Sequence, residues 1–415
     1  MSKLIKLAWR SVWRNRRRSI ITMSAIGFAI LLTTITRSLQ FGMYDAVESH
    51  AIRSFNGDFH VQHPQFQKDR TLNRSIEANA ADWEQWIVSH PNLIAFTQRI
   101  TSGGLISTEN PDGRQSSYAI MVIGVNPVRE TEVTEFMEVE KVTEGQPLQA
   151  GLNNEILIGH RLAKNMEASV GDEVVILSQG YRNEMAVDLY RIRGILTSGA
   201  VGIDKSGVVM SLADAQELFS MPNRVTQVVF RTTDFRQTDE IVQRIEPGGK
   251  LKILPWQTLI PDIEQMIALD NVGGAIMLVF IMVIVGFEIF NTTMMGILER
   301  RRELGVLQAI GMKPGQITVM LLVESIMKIC LALLISVLIS ALLLHFIADK
   351  PFSMGEEYDE VMRSTFGYEA SMVFSPDLKV YAEPLIWITI ISTLSLIYPI
   401  YVVSQLKPIA AVQNT

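Results

Sequence analysis

The sequence predicts a polytopic α-helical membrane protein, with four transmembrane helices and one large α+β domain outside the membrane. Four windows are nearly free of charged residues, and each is long enough for a bilayer-spanning helix, which needs roughly 17–25 residues. These windows lie at 20–36, 272–297, 317–348 and 384–403 of the 415-residue chain. The section 50–268 has the mixed composition of a soluble domain and is long enough to bury its own core.

The distribution of basic residues orients the predicted helices. Seven lysines and arginines precede the first window, and four more lie between the second and third windows. Acidic residues dominate between the third and fourth windows. Because cytoplasmic loops carry the excess of lysine and arginine, we expect both termini and residues 298–316 in the cytoplasm. The large domain and residues 349–383 are then expected outside.

Windows and charges together divide the chain into nine predicted segments. In chain order they are a cytoplasmic amphipathic helix (1–19), the first transmembrane helix with its outer extension (20–45), the outer domain (46–268, with a β-rich subdomain at about 150–208), the second transmembrane helix (269–297), a cytoplasmic coupling helix (298–316), the third transmembrane helix (317–348), an outer loop (349–383), the fourth transmembrane helix (384–404) and a cytoplasmic tail (405–415). No small-x-small cleavage site follows Arg37, so we expect the first helix to be uncleaved rather than a signal peptide.

The pattern of the outer domain indicates an α+β fold. Apolar or alternating runs bounded by turn residues predict strands, and helical periodicity appears between them in no regular order. Predicted strands lie at Asp58–Gln62, Ser117–Val125, Glu155–Gly159, Glu173–Ser178, Ala186–Leu196 and Gln227–Arg231, and predicted helices at His160–Glu167, Leu212–Phe219 and Arg236–Ile245. The irregular order favours α+β over a doubly wound parallel sheet.

Few residues point to catalysis or metal binding. His60 and His63 are three apart, so on a strand they point to opposite faces, and no metal site is expected there. The acidic run from Glu130 to Glu144 is expected to be a solvated face. A GxxxxGK[ST] phosphate-binding loop occurs nowhere, so we expect no ATP hydrolysis by this chain. The net charge of −6 argues against nucleic acid, and the single cysteine, Cys330, excludes an internal disulfide.

The most informative segment is Glu299–Ile317, ERRRELGVLQAIGMKPGQI, between the second and third windows. Charged residues open it, and apolar residues recur at helical spacing through Leu304, Leu307 and Ile310 before glycine and proline end the pattern. This predicts a short amphipathic helix at the cytoplasmic membrane surface. Such a helix is well placed to receive motion from a soluble partner.

Three charged residues fall inside the four apolar windows: Glu288, Glu324 and Lys328. Charges there are costly and usually face protein or a partner charge. Glu324 and Lys328 are four apart, so they share one helix face and can pair. Two interpretations stay open, a static pair near the headgroups and a polar contact that changes during a transport cycle.

Several segments resemble the MacB/FtsX-like permeases of ABC transporters, the type VII or mechanotransmission group. The opening LAWRSVWRNRRRS is similar to the first helix of that family, and Glu299–Ile317 is similar to its coupling segment. EILIGHRLAKNMEASVGDEVV and MSLADAQELFSMPNRVTQVV resemble its periplasmic patterns. The tail YPIYVVSQLKPIAAVQ resembles the family ending, although Gln413 replaces a basic residue. The layout is closest to the lipoprotein-releasing (LolC/LolE-type) permeases.

The resemblance implies a bacterial inner-membrane protein that works as a dimer with an identical or homologous second permease. Two copies of a separate ABC ATPase would bind ATP and Mg²⁺, so no cofactor is expected on this chain. The resemblance assigns ATPase coupling to Glu299, Arg300, Arg301, Arg302, Glu303 and Leu307, supported by Arg14, Arg16 and Arg17. The alternative is that these arginines only fix topology and bind anionic lipid.

The resemblance also bears on the substrate. The resemblance favours extraction of a lipoprotein or other lipid-anchored substrate from the membrane. The alternatives are MacB-like tripartite efflux of peptides or amphiphiles, and FtsX-like activation of a periplasmic partner without transport. A periplasmic carrier or adaptor would contact the hairpin Tyr181, Arg182, Asn183, Glu184 and Met185, which otherwise reads as a plain β-turn.

Overall fold

The computed structural model describes residues 9–14, 16–109, 115–151, 153–246, 248, 251–348, 352–353, 355 and 371–404. The predicted tail (405–415), the first eight residues of the predicted N-terminal helix and most of the predicted outer loop lie outside the described residues. The described chain divides into two units, which we call the helical unit and the β-rich domain. The β-rich domain contains Ala46–Gln265, and the helical unit contains the long helices.

Residues 9–14 are helical, and thirteen further α-helices are described. They are α1 (Arg16–Ala51), α2 (Phe66–Asp69), α3 (Trp83–Ser89), α4 (Pro127–Val133), α5 (His160–Met166), α6 (Val201–Ser206), α7 (Leu212–Leu218), α8 (Thr238–Arg244), α9 (Trp256–Leu259), α10 (Pro261–Glu299), α11 (Arg301–Ala309), α12 (Pro314–Ile347) and α13 (Lys379–Ser404).

Four of these helices, α1, α10, α12 and α13, are long and apolar enough to cross a membrane, counting only the described residues. α1 has 36 residues and α10 has 39. At 1.5 Å per residue they are roughly 54 and 58 Å long, well beyond the roughly 30 Å of a hydrocarbon core. Both helices therefore extend outside the membrane.

The four long helices pack through a narrow apolar seam. Ile26 and Ile30 of α1 contact Met282 and Ile289 of α10, together with buried residues of α12 and α13. Small residues allow close approach: a Cβ on Gly27 would lie 2.8 Å from the Ser336 hydroxyl oxygen. Most apolar side chains on the spans point away from this seam, as expected of helices surrounded by lipid.

Fourteen strands are described. They are β1 (Phe59–Gln62), β2 (Ile76–Glu77), β3 (Leu93–Glu109), β4 (Gln115–Val125), β5 (Val142–Gly145), β6 (Glu155–Gly159), β7 (Glu173–Gln179), β8 (Met185–Leu196), β9 (Gly207–Ser211), β10 (Arg224–Val225), β11 (Gln227–Thr232), β12 (Lys252–Pro255), β13 (Phe352–Ser353) and β14 (Ser371–Met372).

Ten of these strands form one sheet, and six of the ten close on themselves. The pairings β3–β4, β4–β9, β9–β6, β6–β8, β8–β7 and β7–β3 make a ring. β3 makes the closure possible because its first half pairs with β11 and its second half with β7. Gly104 is the first residue of β3 that pairs with β7. A Cβ on Gly104 would lie 2.9 Å from the Leu177 carbonyl oxygen, so this close approach needs glycine.

The interior of the ring is the main core of the β-rich domain. Ile106, Ile176 and Tyr190 are almost fully buried there, and α7 covers the sheet through Ala215 and Leu218. The alternation of buried and exposed residues along β7 and β8 follows from the two-residue period of a strand, with one face inside and the other outside.

The predicted fold class, four transmembrane helices with a large α+β domain, is confirmed. The predicted β-rich section, 150–208, contains β6, β7 and β8, which complete the ring together with β3, β4 and β9. The prediction of a solvated acidic run is wrong for Glu130, which is fully buried against Arg99. The remaining acids of that run are exposed or half-buried.

Candidate functional site

The amphipathic helix α11 lies at the end of the helical unit that carries the N-terminal arginines, here called the basic end. Leu304 is fully buried and packs with Ile317, Met320 and Val403. α11 and α12 are separated by a break, where Gly311 adopts a left-handed φ of 104° and Pro314 occupies the first position of α12. The sequence therefore packs one face of α11 firmly onto the ends of α12 and α13.

The other face of α11 is exposed. Val306 is 44% exposed and Ile310 is 79% exposed, on a helix that also presents Arg302 and Glu303 to solvent. A groove of about 660 Å³ runs between this face and helical residues 9–14. Its lining combines arginines, a carboxylate and apolar side chains, which is the mixed character of a surface that binds another protein.

Glu324 joins three elements at the basic end. Its carboxylate, only 8% exposed, accepts hydrogen bonds from Ser11 at 2.6 Å, Arg300 at 3.1 Å and Lys328 at 2.8 Å. Ser11 belongs to the N-terminal helix, Arg300 precedes α11, and Lys328 follows one turn later on α12. Since a buried carboxylate needs this compensation, the three elements are held together by one charge.

Glu303 extends this network to the exposed side. It pairs with Arg14 and accepts a hydrogen bond of 3.3 Å from Arg300. Partial burial acts to raise the pKa of Glu303, but the hydrogen bonds from Arg14 and Arg300 outweigh it and hold the pKa below its usual range. Glu299 makes a separate pair with Arg18 at 2.7 Å.

The structure brings Arg14, Glu299, Arg300 and Glu303 into paired contacts, together with the intramembrane Glu324 and Lys328. Leu307 of α11 is half-buried and packs against the apolar cluster that contains Leu304 and Ile317. Arg16, Arg17 and Arg302 are exposed. Arg301 is half-buried, and its Nε has no hydrogen-bond partner among the described residues. For all the residues predicted to couple to an ATPase, that role stays a prediction.

Glu288 lies apart from this network on α10. It is half-buried, and the Thr292 hydroxyl one turn later donates a hydrogen bond of 2.9 Å to it. The contact satisfies one carboxylate oxygen within its own helix.

A second polar cluster lies at the opposite end of the helical unit. Arg37 of α1 is 5% exposed and makes two hydrogen bonds, of 2.9 and 2.6 Å, to Glu383 of α13. The same guanidinium donates to Asn271 of α10 at 3.1 Å. Tyr44 of α1 donates to Asp270 at 2.7 Å. Charged contacts thus tie α1 to α10 and α13 at this end.

The predicted partner-contact hairpin is a tight turn between β7 and β8. Arg182 and Asn183 both have left-handed φ angles, of 63° and 64°. Asn73 accepts a hydrogen bond of 2.8 Å from the Arg182 backbone, and Tyr181 packs under the guanidinium of Arg224. Arg182, Asn183, Glu184 and Met185 are exposed, but the turn is tied to the body of the β-rich domain. A partner contact there stays a prediction.

An exposed apolar face begins at this hairpin. Side chains on β3, β7 and β8 that point outward from the ring are 38–80% exposed, and register places them side by side. They are Leu105, Val175, Leu177, Met185, Val187 and Leu189. Contiguous apolar patches on soluble domains commonly mark interaction surfaces.

Sequence reasoning missed several of these residues. Arg18 was visible only as one arginine in a run, and Ser11 carried no pattern at all. Arg37 was the detectable case, because a charged residue directly after an apolar window is expected to be paired. The exposed apolar face was also readable, since apolar residues recur at every second position, at Val175 and Leu177 on β7 and at Met185, Val187 and Leu189 on β8.

Two models of known protein families match this chain, one over its first part and one over its second part. The MacB-like periplasmic core domain model matches residues 19–247, which is more than half of the chain. The FtsX-like permease C-terminal model matches residues 275–408.

Several curated relatives are similar to this chain in sequence. The lipoprotein-releasing system transmembrane protein LolC of Xylella fastidiosa (Temecula1) is 23% identical over 62% of this chain and 66% of that protein. LolC of a second Xylella fastidiosa strain is 22% identical over 76% of this chain and 74% of its own length. LolC of Neisseria meningitidis serogroup B is 19% identical over 60% and 61%. The chain thus spans slightly less than two thirds of the first relative.

Among solved structures, the periplasmic region of MacB from Actinobacillus actinomycetemcomitans covers 51% of this chain and 95% of its own, at 11% identity and a TM-score of 0.33. The extracellular domain of the transporter YknZ covers 45% and 88%, at 12% identity and a TM-score of 0.28. The two matched family models, over residues 19–247 and 275–408, identify the chain as a member of the MacB/FtsX/LolC-type ABC transporter permeases.

Proposed function

We propose that this permease converts the ATP-driven motion of a separate ABC ATPase into movement outside the inner membrane, and that its substrate is a lipoprotein or another lipid-anchored molecule. The proposal places both termini and α11 in the cytoplasm, and it assumes a second permease, identical or homologous. Similarity to LolC proteins, named as parts of lipoprotein-releasing systems, is the observation that favours this substrate class.

The ion-pair network at the basic end supports the coupling part of the proposal. A push on the exposed face of α11 is resisted by buried Leu304 and by the contacts of Arg300 and Glu303. Because Glu324 binds Arg300 and Ser11 together, α11 cannot shift without moving α12 and the N-terminal helix. A rigidly packed helix transmits displacement instead of absorbing it.

The lengths of α1 and α10 support transmission beyond the bilayer. Each is one continuous helix about 20 Å or more longer than a hydrocarbon core. α1 begins at the arginines of the basic end, and its residue Arg37 pairs with Glu383 at the opposite end of the helical unit. Helices of this kind carry rotation or tilt along their whole length.

The deciding experiment is reconstitution of the full permease with its ATPase in lipid vesicles that contain an acylated protein. We expect acylated protein to stimulate ATP hydrolysis and to leave the membrane when ATP is added. A non-acylated version of the same protein is the control and is expected to do neither. Absence of both stimulation and release with the acylated protein would refute lipoprotein release.

A variant tests coupling separately from substrate. Replacing Arg301 and Glu303 with alanine is expected to leave insertion and basal ATP hydrolysis intact while substrate release falls strongly. The matched control replaces Arg244 and Glu240, an exposed arginine–glutamate pair on α8 with side chains 71% and 73% exposed. Normal release by the first variant would remove the role proposed for α11, whatever the substrate is.

The match to a MacB-like core domain favours one second candidate, efflux of peptides or amphiphiles with an adaptor protein. The same vesicles distinguish it. Efflux predicts that an amphiphilic peptide, and not the acylated protein, stimulates ATP hydrolysis.

A further inference from the structure

A second groove lies at the basic end, between α1 and α10 and away from the exposed face of α11. Its volume is about 370 Å³. α1 contributes Arg17, Arg18 and Ile21, and α10 contributes Thr292 and Met295 among others. Arg17 and Glu299 were considered above for ATPase coupling, but no function has yet been given to the groove that they line with Arg18, Ile21 and Met295.

The groove has cationic groups with unused hydrogen-bond donors. Arg17 is exposed and makes no ion pair among the described residues. The Nη2 of Arg18 donates to Glu299, while its Nη1 is buried and has no hydrogen-bond partner in the described part of the chain. Two guanidinium groups therefore face one carboxylate, which leaves a net positive charge. Guanidinium groups are suited to phosphate because their donors match its oxygens in pairs.

The groove also has two levels. Ile21 lies one helical turn beyond Arg17, and Met295 lies one turn before Glu299, so both are about 5–6 Å closer to the middle of the spans than the charges. Ile21 is 51% exposed and Met295 is 52% exposed. A free phosphate would contact only the charged level. A phospholipid would use both, with its headgroup on the arginines and an acyl chain along the apolar side chains.

We propose that this groove binds an anionic phospholipid from the leaflet at the basic end of the helices. Its phosphate lies against Arg17 and Arg18, and one acyl chain passes over Ile21 and Met295. Because α1 and α10 supply opposite walls, the lipid bridges the two longest helices of the protein.

The test measures lipid binding by the purified full-length permease without ATPase, so it is independent of the proposed transport function. Native mass spectrometry counts phosphatidylglycerol or phosphatidylcholine molecules retained from mixed detergent micelles. We expect phosphatidylglycerol to be retained preferentially, and inorganic phosphate at the same concentration not to displace it. Displacement by inorganic phosphate would show a headgroup-only ion site and overturn the proposal.

Variants localise the binding. Arg17→Gln is expected to weaken phosphatidylglycerol binding about fivefold, the usual effect of one basic residue near a charged membrane surface. Arg16→Gln is the matched control, since Arg16 is exposed on the same turn but does not line the groove. Ile21→Gln should also weaken lipid binding while leaving helicity by circular dichroism unchanged. Equal losses in Arg16→Gln and Arg17→Gln would indicate diffuse attraction and refute a site, as would unchanged binding in Arg17→Gln.

Discussion

The buried ion pair of Arg99 and Glu130 offers the sharpest test of how the β-rich domain is held together. Both side chains are fully buried, and two hydrogen bonds of 3.1 and 2.5 Å join the β3 guanidinium to the α4 carboxylate. Thr97 and Thr134 donate to the same carboxylate. The guanidinium also lies 4.4 Å from the centre of the Phe55 ring, just after α1. One charged pair thus fastens three segments.

Replacing Glu130 by glutamine leaves the Arg99 charge buried without a counter-charge. Removing one partner of a buried pair typically costs about 3–5 kcal/mol. Hydrogen exchange of amides that open only with the whole β-rich domain should therefore accelerate by about two to four orders of magnitude. Glutamine keeps the shape of the side chain, so the loss reports the charge and not a cavity.

Hydrogen exchange with mass spectrometry on the full permease in detergent measures this segment by segment. Peptides from β3 and α4 should lose protection, while peptides from α12 serve as an internal reference. The paired variant Arg99→Met with Glu130→Leu should recover most of the protection, because both charges are gone. A loss below about 1 kcal/mol in Glu130→Gln would mean that the pair is not the fastening point we infer.

Three further predictions concern pH, the coupling helix and ring closure. Burial, with the nearby Arg99 charge, lowers the pKa of His60 from 6.5 to about 3, so its neutral form is the one in the fold. Stability of the β-rich domain should therefore fall as the pH drops from 6.5 towards 3, by about 2 kcal/mol at pH 5, and His60→Asn should lose this dependence in hydrogen exchange at the two pH values. Leu304→Ala should destabilise α11 by about 2–5 kcal/mol because its side chain is buried. Ile310→Ala should leave the exchange of α11 unchanged because its side chain is 79% exposed, and it should weaken only the proposed binding of an ATPase. Equal exchange in the two variants would contradict the two-faced packing of α11. Gly104→Ala should cost about 1–3 kcal/mol in thermal unfolding because its Cβ meets the backbone of β7, while Gly103→Ala, with open space around it, should be tolerated.

Local pattern was sufficient to predict the architecture. Apolar windows and the basic excess predicted the spans, and the strands at Glu155–Gly159 and Gln227–Thr232 follow from runs of apolar residues. The spacing of Glu324 and Lys328 also predicted their contact, since residues four apart meet on one helix face.

Contacts between distant residues could not be predicted in this way. The Ser11 hydrogen bond to Glu324 joins positions 313 apart, and nothing in either neighbourhood indicates it. β3 was not among the predicted strands: Gly103 and Gly104 interrupt its pattern, whereas the ring needs both glycines inside one continuous strand. Glu130 sits among exposed acids, and only the fold shows that Arg99 covers it.

The closed ring of strands restricts how any other polypeptide can attach to the β-rich domain. β7 has a neighbour on each side over Val175–Ser178, so its backbone offers no free hydrogen-bonding row there. A visiting chain cannot extend the sheet at that point as an added strand. A partner that binds on this side must contact side chains, so the outward residues of β3, β7 and β8 determine which partner binds. These residues can differ between related proteins without disturbing the interior of the ring.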